Sequence, residues 1–424
     1  MDTIFALSSG APPAAIAVVR ISGSRAGDAL VHLIGKLPRP REAKLASLRA
    51  ADRSLLDQAL VLWFPGPKSE TGEDCAELQL HGGRAIVDAI YTELRTIDGL
   101  RLAQPGEFTR RAFANGQIDL LQVEGLADLV AAETDLQRRA ALGIAGGSLS
   151  REVEGWRERL LALSAQVETA LDFDDEGDVA GLERRFSADL DDLSGELRLA
   201  LAAPGAEILR EGYRVALAGP PNAGKSTLFN SLVDKQAAIV TPIAGTTRDV
   251  LVQAAAIEGV PFTFVDMAGL RNETADAIEG IGIGRARQEI EAADCVLWLG
   301  PEGEGPEGAW EIEARGDLAE RIRKTAPRHR VSALSGLGMD ELRRALVEHA
   351  RAAMPKPGDL ALGRRQRELI GAATDALAAT ASIDDPLLIA EHLRTARAAF
   401  DRLTGRAATE DMLDALFGRF CIGK

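Results

Sequence analysis

The stretch YRVALAGPPNAGKSTLFN, residues 213–230, decides the fold of the central part of this chain. It holds the pattern G-x-x-x-x-G-K-S at residues 219–226, directly after a short apolar run and directly before an amphipathic one. That order predicts a strand, a glycine-rich loop and a helix, which is the setting a phosphate-binding loop requires. The backbone N–H groups would then face phosphates, Lys225 would reach the β- and γ-phosphates, and Ser226 would hold Mg²⁺. A plain glycine turn is the alternative, but the flanking elements favour a nucleoside triphosphate site.

Length and composition predict a soluble protein of two to four domains. The chain has 424 residues, of which 46% are hydrophobic, so it can bury more than one core. No apolar run approaches the length of a membrane span, and the N-terminal MDTIFALSSGAPP lacks the basic lead of a signal peptide. Cys75, Cys295 and Cys421 are far apart, which predicts neither a disulfide framework nor a zinc site and favours a reducing cytoplasm.

The charge pattern limits the way in which the chain can meet nucleic acid. A net charge of −15 argues against indiscriminate coating of a polyanion. The arginine pairs at 110–111, 138–139 and 364–365 could contribute to a local basic surface. The alternative is that they lie on solvated helix faces. The acidic run DFDDEGD, residues 172–178, allows a cation site or, more simply, a solvated loop.

Apolar periodicity divides the chain into four predicted segments. Residues 1–117 read as a mixed α/β domain, 118–209 as helices, 210–354 as alternating strands and helices, and 355–424 as helices again. The fold class is therefore α/β plus α: a mixed α/β domain, then a helical domain interrupted by an inserted P-loop domain of Ras-like type. The predicted elements and faces are strands at 15–22, 58–64 and 75–81, helices at 30–33 and 85–97, a loop at 64–74, one helical face of Leu120, Val123, Leu126 and Val130, and another of Leu190, Leu193, Leu197 and Leu201.

Two further motifs behind the P-loop narrow its chemistry. AIVTPIAGTTRD, residues 238–249, lies where a switch segment is expected, so Thr247 would contact Mg²⁺ and the γ-phosphate. VPFTFVDMAGL, residues 260–270, is a strand that ends in D-x-x-G, where Asp266 would hold the Mg²⁺ shell and the Gly269 N–H would sense the γ-phosphate. Both motifs together predict a GTPase-type domain rather than a generic ATPase.

The base-reading segment departs from the usual pattern. No N-K-x-D box is present, and the best candidate by position is Ala314, Arg315, Gly316 and Asp317. Asp317 keeps the acceptor that selects guanine, whereas Ala314 lacks the amide, which predicts weaker binding by about 1–2 kcal/mol. The alternative is that Asp317 has no role in binding guanine and is simply an exposed residue at the start of a helix. VSALSG, residues 331–336, supplies a matching S-A loop for the guanine O6.

On these and other motifs the chain resembles the bacterial MnmE (TrmE) family of tRNA-modification GTPases. The matching strings are DTIFAL, VVRISG, TGEDCAELQLHGG, PGEFTRRAF, IAGTTRD and the terminal FCIGK, in the family's order over nearly the whole chain. The resemblance implies a folate-binding-type N-terminal domain, through which family members form homodimers. It also implies a GTPase that modifies the wobble uridine of tRNA at carbon 5, with the flavin-dependent partner MnmG (GidA) and a folate such as 5-formyltetrahydrofolate as one-carbon donor. No membrane partner is implied.

The resemblance also assigns roles in hydrolysis. Asn222, Thr241, Ile243 and Thr246 would ligate K⁺, whose charge does what an arginine finger does elsewhere, worth ~10³ or more in rate. Glu279 would orient the attacking water; its alternative is an exposed loop carboxylate. The predicted GTP-binding residues are Asn222, Ala223, Gly224, Lys225, Ser226 and Thr227 in the P-loop; Thr241, Pro242, Ile243, Ala244, Gly245, Thr246 and Thr247 in the switch; Asp266, Met267, Ala268 and Gly269 at the strand end; and Ala314, Arg315, Gly316, Asp317, Ser332, Ala333 and Leu334 on the base side.

The folate site implied by the family draws on both ends of the chain. Arg20 would match the glutamate carboxylates of folate, Glu77 would match the N–H donors of the pterin, and Lys424 would come from the tail. Gln117 stands where the family commonly has a lysine, which removes a charge there. Cys421 occupies the family's cysteine position, as a functional thiol or a buried tail residue.

Two alternatives come from other classes. One is a nucleotide-gated dimeric switch with little turnover, which the altered guanine box favours. The other is a folate-dependent transferase with a vestigial G domain. Met267, in D-M-A-G instead of D-T-A-G, also replaces a hydroxyl that could influence the mobility of the switch.

Overall fold

The chain folds into two compact units. The computed structural model describes residues 2–172, 179–233, 251–267, 288–317, 322–356, 359–418 and 420–423. One unit comprises residues 1–127, 144–153 and 401–424, and the other comprises residues 128–143 and 154–400. Each unit has its own sheet and its own buried core.

The first unit is built on a six-stranded sheet with strand order β3-β4-β5-β2-β1-β6. The alternating burial along β4 shows why it forms: every second side chain enters the core and the others face away. The strands are β1 (Thr3–Leu7), β2 (Ile16–Ser22), β3 (Lys44–Arg49), β4 (Leu55–Phe64), β5 (Cys75–His81) and β6 (Leu100–Leu102), and the helices are α1 (Ala26–Ile34), α2 (Arg84–Arg95) and α3 (Glu107–Ala114). The three predicted strands, the two predicted helices and the loop between β4 and β5 are thereby confirmed.

The C-terminal residues return to the first unit. Helix α13 (Glu410–Phe417) contributes Leu413 and Phe417 to a cluster with Leu120 and Val123. Ile422 then pairs with Pro105, and Ser8 Oγ donates a hydrogen bond to the carbonyl oxygen of Gly423 at 2.8 Å. Gly423 therefore lies beside the end of β1.

Outside the two sheets and the elements that pack on them, most of the described residues are helical. These helices are α4 (Leu120–Ala131), α5 (Asp135–Ala145), α6 (Ser148–Asp172), α7 (Val179–Ala202), α8 (Glu207–Glu211), α11 (Arg364–Thr380) and α12 (Pro386–Thr404). The predicted faces are formed by residues that are mostly buried, although Leu126 and Leu201 are half-buried and Val130 is exposed. Helices α7 and α11 pack together, and Arg367 donates to the carbonyl oxygen of Ala203 at 2.8 Å.

The second sheet, in the second unit, carries the glycine-rich loop. Its strand order is β12-β11-β10-β7-β9-β8, and all neighbours are parallel except β8 and β9. Its elements are β7 (Tyr213–Ala218), α9 (Lys225–Val233), β8 (Leu251–Ile257), β9 (Val260–Asp266), β10 (Cys295–Trp298), β11 (Trp310–Glu313), β12 (His329–Arg330) and α10 (Met339–Ala353). Because β7, β9, β10 and β11 are parallel, their carboxyl ends meet at one edge, where ligands bind in doubly wound folds.

None of the helices in the described ranges combines the length and the apolar character needed to cross a bilayer.

Candidate nucleotide-binding site

The loop between β7 and α9 has the backbone of a phosphate-binding loop. Gly219 (φ 146°), Asn222 (φ 62°) and Gly224 (φ 97°) all have positive φ. A β-carbon at Gly219 would lie only 3.0 Å from the backbone nitrogen of Gly300, so the position requires glycine. The helix starts at Lys225, and its N-terminal N–H groups therefore point toward the loop.

Lys225 is held at the centre of this loop. Its side chain is buried, and Nζ donates to the carbonyl oxygens of Gly219 and Pro220, both at 2.9 Å. Ser226 and Thr227 follow it at the start of α9 and are exposed. The lysine is therefore already oriented under the loop, and the two hydroxyl residues remain accessible beside it.

Asp266 and Met267 lie at the end of the strand next to β7. Asp266 is fully buried and stands in register with Leu217 of β7. Met267 is 9% exposed and packs with Ala216 and Val296. The thioether that replaces a hydroxyl in the D-x-x-G motif thus belongs to an apolar cluster.

The base-side segment contacts the phosphate loop directly. Arg315 has positive φ (58°), and its Nη1 donates to the carbonyl oxygen of Asn222 at 3.2 Å. Its side-chain stem passes so close to Gly224 that a β-carbon there would lie 3.3 Å from Arg315 Cγ. Gly316 donates its N–H to the carbonyl oxygen of Val331 at 2.9 Å, which ties this segment to the S-A loop. Asp317 is exposed.

The S-A loop is braced by its own serine. Ser332 is buried, its Oγ accepts from the Ser335 N–H at 3.1 Å, and its carbonyl oxygen accepts from the Gly336 N–H at 2.8 Å. Leu334 projects outward with 79% of its surface exposed. The backbone at Ala333 is therefore presented on a fixed turn.

These segments surround one cleft of 1020 Å³. The cleft is lined by Gly219, Pro221, Asn222, Gly224, Lys225, Ser226, Thr227, Leu228, Met267, Ala314, Arg315, Asp317, Val331, Ser332, Ala333 and Leu334. Residues that the motifs place far apart in sequence thus share one cavity, at the carboxyl edge of the sheet. Their individual roles in binding remain predictions.

A buried ion pair behind the base-side segment was not anticipated from the motifs. Lys324 is buried, its Nζ donates to the carbonyl oxygen of Trp298 at 2.7 Å and pairs with Glu311, and its N–H donates to Glu313 at 3.0 Å. Glu313 directly precedes Ala314, so these contacts position the start of the segment. The signal in the sequence is the two glutamates inside the apolar strand WEIE.

Part of the predicted site lies outside the described residues. This applies to Thr241, Pro242, Ile243, Ala244, Gly245, Thr246, Thr247, Ala268, Gly269, Glu279 and Lys424.

Two of the residues assigned to folate, Arg20 and Glu77, lie side by side in the first unit. Arg20 on β2 stands opposite Glu77 on β5, and Arg20 Nε and Nη2 donate to Glu77 Oε1 at 3.1 and 2.9 Å. The Arg20 guanidinium also pairs with Glu70 and lies 5.8 Å from the ring centroid of Phe108. Burial lowers the pKa of Arg20, but Glu70 and Glu77 raise it by more, so the guanidinium stays charged.

Gln117 lies beside the loop that carries Glu70. A β-carbon at Gly72, in the loop that carries Glu70, would lie 3.1 Å from Gln117 Nε2.

Cys421 is exposed, so the alternative of a buried tail thiol is wrong for this residue. Cys75 and Cys295 are buried, and burial raises the pKa of the Cys295 thiol to about 12.

Both residues of the arginine pair at 110–111 are engaged by carboxylates. Arg111 is buried and pairs with Asp2, Glu73 and Glu107, while its neighbour Arg110 pairs with Glu410 and Asp414. The expectation that both residues could contribute to an exposed basic patch is therefore wrong for Arg111.

Arg138 and Arg139 both pair with Asp135 on the same helix. Their exposed charges are thus partly balanced locally.

A P-loop, a buried carboxylate at the end of the adjacent strand and a base-side segment joined to an S-A loop define a P-loop nucleotide-binding protein of the GTPase class. Two family models match the chain, and together they span nearly all of it. The model for the GTP-binding protein TrmE N-terminus matches residues 3–117, and the model for the MnmE helical domain matches residues 120–421.

Full-length relatives show the family. The chain is 60% identical to the tRNA modification GTPase MnmE of Erythrobacter litoralis and 58% identical to that of Novosphingobium aromaticivorans, in each case over 100% of both chains. It is 55% identical to the protein of the same name from Rhizorhabdus wittichii, over 100% of this chain and 97% of the relative. The chain belongs to the MnmE family of tRNA modification GTPases. The resemblance, the fold class and the prediction of a GTPase are thereby confirmed.

A solved structure is similar over a shorter range. The match to the G domain of the T. maritima FeoB iron transporter spans 32% of this chain and 98% of the FeoB chain, with 25% identity and a TM-score of 0.24. The family assignment rests on the full-length relatives and the two family models.

Proposed function

We propose that this protein is a K⁺-stimulated GTPase whose hydrolysis drives modification of the wobble uridine of tRNA at carbon 5. The reaction installs an aminomethyl or carboxymethylaminomethyl group, with a folate as one-carbon donor and the flavin-dependent MnmG as partner. The observation that carries the proposal is the convergence of the P-loop, Met267, the 314–317 segment and the S-A loop on one cleft. Family membership supports the tRNA substrate.

In this proposal the phosphates lie along the P-loop. Lys225 moves its Nζ from the carbonyl oxygens of Gly219 and Pro220 toward the phosphates, which offer it full negative charges. The N–H groups at the start of α9 supply the remaining donors. Glu279 orients the attacking water and so completes the hydrolytic site.

The donor set fits Mg²⁺. Ser226 is exposed and lines the cleft, and the buried carboxylate of Asp266 lies one residue from Met267, which also lines it. Hydroxyl and carboxylate oxygens are the ligands that this ion prefers, and Thr247 would add a second hydroxyl. Bound Mg²⁺ would neutralise developing charge on the phosphates.

The potassium site would depend on Asn222. This side chain is exposed at a positive-φ position in the P-loop and lines the cleft, so its amide oxygen can face a cation beside the phosphates. Thr241, Ile243 and Thr246 would complete the oxygen ligands.

The base would be read by the 314–317 segment. Arg315 reaches the carbonyl oxygen of Asn222, so it links base side and phosphate side even without the lysine of the usual box. Asp317 would accept from guanine, and Ala333 with Leu334 would present the loop backbone to O6. The hydrogen bond from the Gly316 N–H to Val331 sets the distance between the 314–317 segment and the S-A loop.

The folate would lie in the N-terminal domain. Arg20, Glu77, Gln117 and Lys424 would contact it, and Cys421 would provide an accessible thiol beside the tail. The proposed domains are residues 1–117 for dimerisation and folate, 118–209 and 355–424 for the helical domain, and 210–354 for the G domain. The protein would act as a homodimer in the cytoplasm.

Hydrolysis measured in KCl and in NaCl at equal ionic strength tests the proposal. We expect GTP turnover at least about tenfold faster in KCl, since K⁺ adds positive charge between the phosphates. Asn222→Ala should remove most of this difference. Asn230→Ala, an exposed asparagine of α9 that does not line the cleft, should retain it.

Three outcomes would contradict the proposal. Equal and negligible rates in both salts would favour the alternative of a nucleotide-gated dimeric switch, which the missing amide at Ala314 supports. Unchanged wobble uridines in tRNA from cells that lack the protein would refute the role in tRNA modification. Intact modification with Lys225→Ala would instead point to a transferase with a vestigial G domain.

A further inference from the structure

The guanidinium of Arg20 is shared by two carboxylates of different character. Arg20 Nε and Nη2 donate to Glu77, which is fixed on the neighbouring strand, while Nη1 pairs with Glu70 from the loop between β4 and β5. The Arg20 side chain is 17% exposed and that of Glu77 is 21% exposed, whereas that of Glu70 is 57% exposed. All three guanidinium nitrogens therefore already have carboxylate partners.

The loop that carries Glu70 is held in place by the residues that directly follow it. Glu73 accepts from Arg111 Nη1 at 3.0 Å and from Ser22 Oγ at 2.8 Å. The carbonyl oxygen of Thr71 accepts from Asn115 Nδ2 at 2.7 Å. Because these contacts fix the backbone near Glu70, its carboxylate is presented to Arg20 by the fold. Only the exposed side chain has to rotate for the contact to open.

The charge balance at this position opposes an anionic ligand. One guanidinium and two carboxylates leave a surplus of negative charge, so a further carboxylate would be repelled while both glutamates stay in place. Glu77 is the partner that is harder to move, since it lies in the sheet opposite Arg20. Glu70 forms an exposed ion pair, which contributes little free energy and can be exchanged.

We propose that Glu70 is an internal competitor that occupies Arg20 until the glutamate carboxylate of a folate displaces it, while Glu77 stays paired with Arg20 and does not reach the pterin at the other end of the ligand. The inference rests on the proposed folate site and adds a residue that tunes its affinity. Glu70 thus sets a threshold: the site admits a ligand whose carboxylate binds the guanidinium better than the protein's own carboxylate does.

Ligand titration of the full-length protein tests this inference. Glu70→Gln keeps the size of the side chain and removes its charge. We expect it to bind 5-formyltetrahydrofolate and p-aminobenzoylglutamate about two- to fivefold more tightly than the wild type, the range expected for release of an exposed ion pair. The matched control is Glu42→Gln, since Glu42 is similarly exposed at 63% but pairs with Arg39 instead. This control should bind like the wild type.

The outcomes separate the inference from the folate proposal. If the wild type binds 5-formyltetrahydrofolate and Glu70→Gln binds it equally or more weakly, Glu70 is not a competitor, and the folate site stands. If Glu42→Gln also tightens binding, the effect is one of general charge, and the specific role of Glu70 is refuted. If none of the three proteins binds either ligand, the folate site itself is refuted, and the competitor with it.

Discussion

At Ala314 the chain lacks an amide, yet its neighbour Arg315 still contacts the phosphate loop. The Arg315 Nη1 donates to the Asn222 carbonyl oxygen at 3.2 Å, and its stem packs beside Gly224. The backbone of the base-side segment is therefore in place, since Gly316 and Glu313 are also hydrogen-bonded. What is missing is one side-chain hydrogen bond rather than the shape of the site.

Restoring that side chain should strengthen nucleotide binding. We expect Ala314→Asn to lower the Kd for GDP by about 5- to 30-fold, which corresponds to about 1–2 kcal/mol for one recovered hydrogen bond. Titration with a fluorescent guanine nucleotide measures this change. Ala309→Asn, close by in the sequence but not in the cleft lining, serves as the control. An unchanged Kd for Ala314→Asn would show that position 314 does not face the base.

At the scale of elements, the first turn of α3 is joined to β6 by charged groups. Glu107, the first residue of α3, accepts from Arg101 Nη1 at 2.8 Å and from Arg111 Nη2 at 3.2 Å. It also accepts from the Gln104 N–H at 2.8 Å, and its negative charge suits the N-terminus of the helix. Burial raises the pKa of Glu107. The hydrogen bonds from Arg101 and the Gln104 N–H lower it by more, so the net pKa lies below its usual 4.5.

This depressed pKa predicts a pH-dependent contribution to stability. The stabilisation is fully present above the unfolded pKa of 4.5 and is lost as the pH falls through the lower folded value. Glu107→Gln should therefore reduce the free energy of unfolding by about 1.5–3 kcal/mol near neutral pH, the usual contribution of hydrogen bonds to a charged group. The difference from the wild type should shrink in acid. Urea unfolding at several pH values measures it, and a pH-independent difference would contradict the ionised network.

At the scale of the whole molecule, the chain enters and leaves the G domain at adjacent points. The Ala206 N–H donates to the carbonyl oxygen of Leu362 at 3.0 Å, and Arg367 donates to the carbonyl oxygens of Leu201 and Ala203. Domains inserted at neighbouring points can be removed with little disturbance of the host. The interrupted helical domain therefore has a physical basis in this junction.

Excision of the G domain tests the proposed boundaries. A chain in which a short glycine–serine linker replaces residues 210–354 should keep its helical circular-dichroism signal and unfold cooperatively. It should lose GTP binding because the P-loop is gone. The intact chain with Lys225→Ala is the control for loss of nucleotide alone. Aggregation or non-cooperative unfolding of the excised chain would show that helical and G domains form one folding unit.

Much of the nucleotide site could be predicted from local sequence. The P-loop follows from glycines whose positive φ excludes other residues, as at Gly219, where a β-carbon would meet the Gly300 backbone. A strand such as β2 follows from a short run rich in β-branched and apolar residues. The contact of Arg315 with Asn222 could not be predicted, because it joins residues 93 positions apart.

Burial of charged residues was the least predictable feature. The pair at Arg110 and Arg111 reads as two equivalent exposed cations, but the turn of α3 directs Arg111 inward to Glu73 and Glu107. The same holds for Lys324, whose sequence neighbours are polar although its side chain is buried. Residue type alone does not reveal which carboxylates a fold brings within reach.

The sequence by itself determined the family, the order of the segments and the identity of the phosphate loop, since these depend on residues close together in the chain. The tertiary structure decided which distant charges meet: Arg20 with Glu70 and Glu77, Arg111 with Asp2 and Glu73, and Lys324 with Glu311. The physical reason is that ion pairs are short-range in water, so their partners are set by where strands and loops end in space rather than by their spacing in sequence.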